Sequence, residues 1–224
     1  MMLFWGIGSI MGILAVVVLI LLVITIIKGS GKVTEKSINK DLKSFRAELD
    51  KKAKTLIPWK HEDLALLSLN LAEYSKGRGK HPVERGVLKN IYQEDTLAYI
   101  IKHYGGKDPK SLLVVRTHDF EMVWVRNSQG ITVYHNQEQV GSILRDGRFF
   151  TPTGHKLIGQ IQTGDPLDLS LFVDGQMKAL VKRENNEETV NPRALELFED
   201  MSENDQMKIL AMSMFDVVKS VRKG

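Results

Sequence analysis

Met207-Lys208-Ile209-Leu210-Ala211-Met212-Ser213-Met214-Phe215-Asp216-Val217-Val218-Lys219-Ser220-Val221 carries only Lys208, Asp216 and Lys219 as charged side chains. Just before it, Ser202 with Asp205 three residues on resembles a capping box, aspartate standing where glutamate or glutamine is usual. A helix therefore starts there. From Met207 to Val221 hardly any polar face is left, and a helix apolar around most of its circumference has to be covered on nearly all sides. It is too short, and too interrupted by Lys208, Asp216 and Lys219, to span a bilayer. A helix threaded through a closed sheet meets both conditions.

The residues between Trp59 and this helix supply the sheet. Short runs of β-branched, aromatic and aliphatic residues alternate with turn signals at close intervals, the pattern of an all-β sandwich or barrel. The expected strands are Leu66 to Leu71, Gly86 to Tyr92, Leu97 to Tyr104, Leu112 to Arg116, Glu121 to Arg126 and Gly130 to Tyr134. They continue with Gln139 to Leu144, Arg148 to Thr151, His155 to Gln162, Leu167 to Val173, Gln176 to Arg183 and Ala194 to Glu199. The first is ambiguous, because Leu64, Leu67 and Leu71 also fit a helix. Asp174-Gly175 joins two alternating runs and suits a type I′ turn. Asp146-Gly147 and Ser128-Gln129-Gly130 are similar signals. Met122 and Trp124 share one face of their strand and Val123 and Val125 the other, so cover is expected on both sides.

The opposite end of the chain reads as a membrane anchor. Residues 1–27 carry no charged side chain, and a helix of that length rises roughly 40 Å against the ~30 Å hydrocarbon core. A cleaved signal would need a basic leader and a small-residue cleavage site, and neither is present. Gly8 and Gly12 form a small-xxx-small pair through which two such helices could pack as a homo-oligomer. No Lys or Arg precedes the stretch, whereas Lys28, Lys32, Lys36, Lys40 and Lys43 follow it. The positive-inside rule then puts the N-terminus outside and the C-terminal domain in the cytoplasm of a single-pass cell-membrane protein.

Lys28 to Lys60 holds ten Lys or Arg against four acids, an excess of six, while the whole chain carries +4. The rest is therefore about −2. Basic charge concentrated beside the anchor argues against nucleic acid and for an anionic leaflet. Ile38, Leu42, Phe45, Leu49, Ala53 and Leu56 recur at spacings of three and four, one apolar stripe on a charged helix. Such a helix is a stalk, lies on the membrane or docks on the domain; Lys52 in the seam disfavours a strong coiled coil. The chain thus divides into an anchor at 1–27, a basic amphipathic helical linker at 28–59 and a β domain at 60–224.

Many antiparallel strands followed by a hydrophobic C-terminal helix resemble the tubby C-terminal-like superfamily, which includes the LURP-one-related proteins and phospholipid scramblases. Gln206 to Asp216, apolar and interrupted late by an acid, and Gly86-Val87-Leu88-Lys89-Asn90-Ile91-Tyr92-Gln93-Glu94 carry the likeness. The resemblance covers roughly Leu64 to Val221 and implies a closed antiparallel barrel of about twelve strands around a central helix. It also implies lipid-headgroup binding. Scramblases place their membrane segment in the C-terminal helix, whereas here it is N-terminal, a departure that counts against lipid translocation.

No catalytic constellation is present. The six histidines, His61, His81, His103, His118, His135 and His155, show no metal-ligand spacing. Gly29-Ser30-Gly31-Lys32 lacks the Ser or Thr and the first glycine of a phosphate loop, and Gly77-Arg78-Gly79 lacks the third glycine of a dinucleotide site. There is no nucleophile elbow and no cysteine. Neither a cofactor nor a resident metal is expected. Glu199, Asp200, Glu203 and Asp205 form a weak calcium candidate, although acids at a helix N-terminus are already favoured by its dipole. Lipid-facing candidates are Lys32, Lys36, Lys40 and Lys43 on the linker and Lys178, Lys182 and Arg183 on one strand. The expected function is a non-enzymatic, membrane-anchored module that binds lipid headgroups or a protein. The alternatives are a scramblase-like lipid-moving protein and a structural component of a membrane complex.

Overall fold

Period-two alternation builds twelve antiparallel strands, each paired with the one before it in a single sheet. They are β1 (Leu67–Lys76), β2 (Val83–Asn90), β3 (Asp95–Tyr104), β4 (Lys110–Arg116), β5 (Glu121–Arg126), β6 (Gly130–His135), β7 (Glu138–Leu144), β8 (Arg148–Phe150), β9 (Leu157–Thr163), β10 (Asp168–Val173), β11 (Gln176–Lys182) and β12 (Leu195–Leu197). Among the described residues three helices accompany them: α1 (Glu35–Ala53), α2 (Asp63–Leu66) and α3 (Glu203–Ser220). This computed structural model describes residues 34–60, 63–79, 81–105, 109–164, 168–182, 191–198 and 201–221. The expected anchor at 1–27 lies outside the described residues. Among the described residues no helix is long and apolar enough to cross a membrane.

The sheet nearly closes on itself. Beside β12, Arg193 bridges to Ser68 on β1, flanked by the Leu69 N–H to the Pro192 carbonyl at 2.9 Å and the Ala194 N–H to the Leu67 carbonyl at 2.7 Å. Curling removes the exposed edges that an open sheet of this width would leave. The Asp174-Gly175 turn has positive φ at both residues, 48° and 84°, as a type I′ hairpin requires. Asn136-Gln137 adopts the same geometry between β6 and β7, at 45° and 75°, without a glycine to announce it.

Leu97, Tyr99 and Ile101, Leu113 and Val115, Met122 and Trp124 point inward from consecutive strands and meet α3 in one core. Ser202 caps the helix, its hydroxyl accepting the Asp205 N–H at 3.2 Å. Ile209, Leu210, Ala211, Met212, Ser213, Met214, Phe215, Val217 and Val218 are all buried. A helix surface hidden over that much of its circumference places α3 inside the barrel. Burying each of its larger apolar side chains contributes roughly 1.5–3 kcal/mol. Gly159 on β9 lets the sheet approach closely, since a Cβ there would lie 2.9 Å from the Met212 sulfur.

The outer face of β3 to β5 is covered as well. Ala98, Ile100, Leu112, Val114 and Val123, which alternate with the inward residues, are buried, and α1 packs on β3 and β4. Its buried residues Ile38, Phe45, Leu49 and Ala53 belong to the expected stripe. Of the three arrangements open for this helix, the structure shows docking on the domain.

Strand boundaries depart from expectation most in β1, β2 and β12. β1 starts at Leu67, after the short helix α2, and continues through Glu73 and Tyr74 to Lys76. β2 begins at Val83, so Glu84 and Arg85 are strand residues. β12 is only three residues long. The first two extensions are polar because their side chains pair with one another, Lys76 with Glu84 at 2.8 Å and the Tyr74 hydroxyl donating to Glu84 at 3.2 Å, and with α1.

Candidate functional site

α1 is held by charges sorted onto two sides. Its acids turn toward cations of the barrel: Asp41 to Lys102 at 2.7 Å, Glu48 to Arg85 at 2.6 Å and Asp50 to Arg116 at 3.3 Å. Asp41 also accepts the Tyr104 hydroxyl at 2.6 Å. Two of its cations turn the same way, Arg46 gripping buried Glu121 through Nε at 2.9 and 3.0 Å and Lys52 reaching Glu73 at 2.6 Å. The docking face consumes three of the four acids on the helix and only two of its cations.

What remains outside is a ridge of lysines. Lys36, Lys40, Lys43 and Lys51 are exposed, as is Lys54 just past the helix end. No ion pair joins any of them to another described residue. At 100° per residue these positions fall within roughly 80° of arc, opposite the buried stripe, and run about 27 Å along the axis. Glu35, at the first turn, is the acid of α1 that meets no barrel cation among the described residues, while Glu48 and Asp50, though paired, are exposed as well.

The remaining predicted site residues are placed differently. Lys182 bridges Asp168 at 2.9 Å and Glu196 at 3.2 Å, so its charge is matched by neighbouring strands. Lys178 is half-buried and has a partner of its own. Lys32, Arg183, Glu199 and Asp200 lie outside the described residues. Asp205 accepts Lys208 at 3.1 Å, and Lys208 also meets Asp174 at 2.9 Å. Among the described residues no group of three or more side chains could hold a metal ion.

A second feature opens at the barrel mouth beside the start of α3. Trp59, Phe120 and His135 border a cavity of about 410 Å³ floored by Leu64, Met122 and Leu210. The Trp59 and Phe120 rings meet edge to face, centroids 5.4 Å apart at 78°. Phe120 and His135 follow at 5.5 Å and 52°. The backbone N–H of Trp59 donates to Asp119 at 2.6 Å, whose other oxygen meets His118 at 2.9 Å. That contact holds the Asp119 carboxyl below its ordinary value. Burial lowers the His135 imidazole below its ordinary 6.5, with Glu138 and Glu203 acting the other way. Nothing in the sequence announces this group, because its rings come from a loop, a hairpin turn and a strand end.

The opposite mouth holds a larger cavity, about 750 Å³, bordered by Arg126, Arg145, Asp146 and Asp216. The Arg126 guanidinium lies 5.3 Å over the Phe215 ring. Its mixed charges point to no single class of ligand.

Comparison of the chain with family models, curated proteins and solved structures finds no match.

Proposed function

We propose that the chain is a non-enzymatic, membrane-tethered tubby-like barrel whose α1 ridge binds the anionic headgroups of the leaflet next to its anchor. The observation that carries this reading is the sorting of charge on α1. Asp41, Glu48 and Asp50 are spent on the barrel, leaving Lys36, Lys40, Lys43, Lys51 and Lys54 to face outward together. A lysine near an anionic surface contributes about 1 kcal/mol, so a ridge of five amounts to a firm but salt-sensitive contact.

The placement of the ridge supports the reading too. α1 begins eight residues after the uncharged stretch 1–27 ends, so a helix in that stretch would deliver the ridge to the bilayer surface. The positive-inside rule makes that surface the cytoplasmic one. The barrel, nearly closed and with a C-terminal helix, is compatible with the tubby-like architecture. Enclosure of α3 favours binding over lipid translocation, because the apolar side chains that would enter a bilayer are already covered.

Flotation of residues 28–224 with vesicles tests the proposal. Binding is expected to vesicles rich in phosphatidylserine, to weaken as salt rises, and to drop about fivefold for each Lys→Gln change at Lys36, Lys40, Lys43 or Lys51. No binding to anionic vesicles at moderate salt would remove it. Capture of an acidic protein in place of lipid would reassign the ridge.

A further inference from the structure

We propose that the cavity beside the start of α3 is an aromatic cage for a quaternary ammonium group of the choline type. This site is separate from the lysine ridge and does not depend on it. Trp59, Phe120 and His135 present rings of different orientation to one space, with centroids 5.4 and 5.5 Å apart along the series. Rings set at angles to one another along the lining of one cavity suit a cation bulky in all directions, which ring quadrupoles attract.

The floor selects among cations. Met122 and Leu210 are fully or almost fully buried, and with Leu64 they offer methyl and thioether surface with no strong acceptor. Against Leu64, Met122 and Leu210 a primary ammonium or a small hydrated ion would leave hydrogen bonds unmade, the acceptors of the lining being the side chains of Asp119, His135, Glu203 and Gln206. Methylated nitrogen has none to lose.

The rim supplies charge of the right sign. Asp119 and Glu203 border the opening, and Lys60, exposed, is the cation there among the described residues. Asp119 is pinned by the backbone N–H of Trp59 and by His118. Glu203, in the first turn of α3, offsets the positive end of the helix that would repel a bound cation. Burial disfavours the charged form of the His135 imidazole, and with it competition for the site.

Free choline and the phosphatidylcholine headgroup share this chemistry. The full chain in maltoside micelles, titrated with choline, tetramethylammonium and the neutral isostere 3,3-dimethylbutan-1-ol, tests the cage by calorimetry and tryptophan fluorescence. Both cations are expected to bind saturably and the isostere about tenfold more weakly or worse. Trp59→Ala should cost about tenfold while Trp59→Phe keeps most of the affinity. Should Trp59→Ala fail to fold, exposed Glu203→Gln should still weaken choline several-fold with an unchanged circular dichroism spectrum.

In nanodiscs, competition of phosphatidylcholine with soluble choline would assign the headgroup, and its absence the free compound. Equal binding of choline and its isostere would overturn the proposal. So would no saturable binding of either cation, or binding of a trimethyl-lysine peptide without choline.

Discussion

The indole Nε1–H of Trp124 donates to the backbone carbonyl of Ala211 at 2.7 Å, tying the middle of β5 to the middle of α3 within the dry interior. Trp124 is wholly buried. Trp124→Phe removes the donor and part of the volume together. A loss of about 2–4 kcal/mol is expected in urea denaturation of residues 28–224. A loss under about 0.5 kcal/mol would mean that the indole does not anchor the helix.

Leu210 probes the enclosure of α3 itself. It is 3 % exposed, so Leu210→Asp places an unpaired charge in apolar surroundings and should abolish cooperative unfolding. Retention of the parent's stability would mean that α3 is not internal.

Docking of α1 is tested by two arginines that look alike in sequence. Arg46 meets Glu121, whose side chain is 9 % exposed, whereas Arg85 meets Glu48, at 46 %. Arg46→Met strands a buried carboxylate and should cost about 3 kcal/mol. Arg85→Met should cost under about 1 kcal/mol. Equal losses would contradict the difference in burial between the two pairs.

Alkali should expose two phenols. Burial raises Tyr99 above its ordinary 10, and burial with the Asp41 hydrogen bond does the same for Tyr104. Each favours the folded state fully below pH 10. Stability is lost as pH rises further, because the unfolded chain ionises first. The Tyr99 hydroxyl is buried without a hydrogen-bond partner, so Tyr99→Phe should be neutral or stabilise by up to about 1 kcal/mol at pH 7. It should also flatten the alkaline decline. A Tyr99→Phe variant clearly less stable at pH 7 would show that the hydroxyl is satisfied.

The central helix and the strands that line it are legible in sequence because burial imposes their pattern: Met207 to Val221 has almost no polar side, and Leu169, Leu171 and Val173 alternate. Cover on both faces of β5 can likewise be read from Val123 beside Trp124. The polar ends of β1 and β2 are not legible. Glu73 and Arg85 look like loop residues until Lys52 and Glu48 are set across from them. Lys182 looks open to solvent until strand register brings Asp168 and Glu196 beside it.

For the site, Lys36, Lys40 and Lys43 show in their spacing. That the ridge extends to Lys51 and Lys54 follows only from knowing which charges the barrel takes. The aromatic group leaves no mark in the sequence, since Trp59, Phe120 and His135 come from a loop, a turn and a strand end and share no local pattern.

The order in which the barrel is made has a consequence for its biosynthesis. Each strand can pair with its predecessor as the chain emerges from the ribosome, yet the helix they surround is the last described element to be made. A nascent chain stalled before Glu203 would carry twelve strands whose inward faces have nothing to rest on. Chaperones would have to shield that surface until α3 arrives, and a stop codon anywhere upstream would send the whole product to proteolysis.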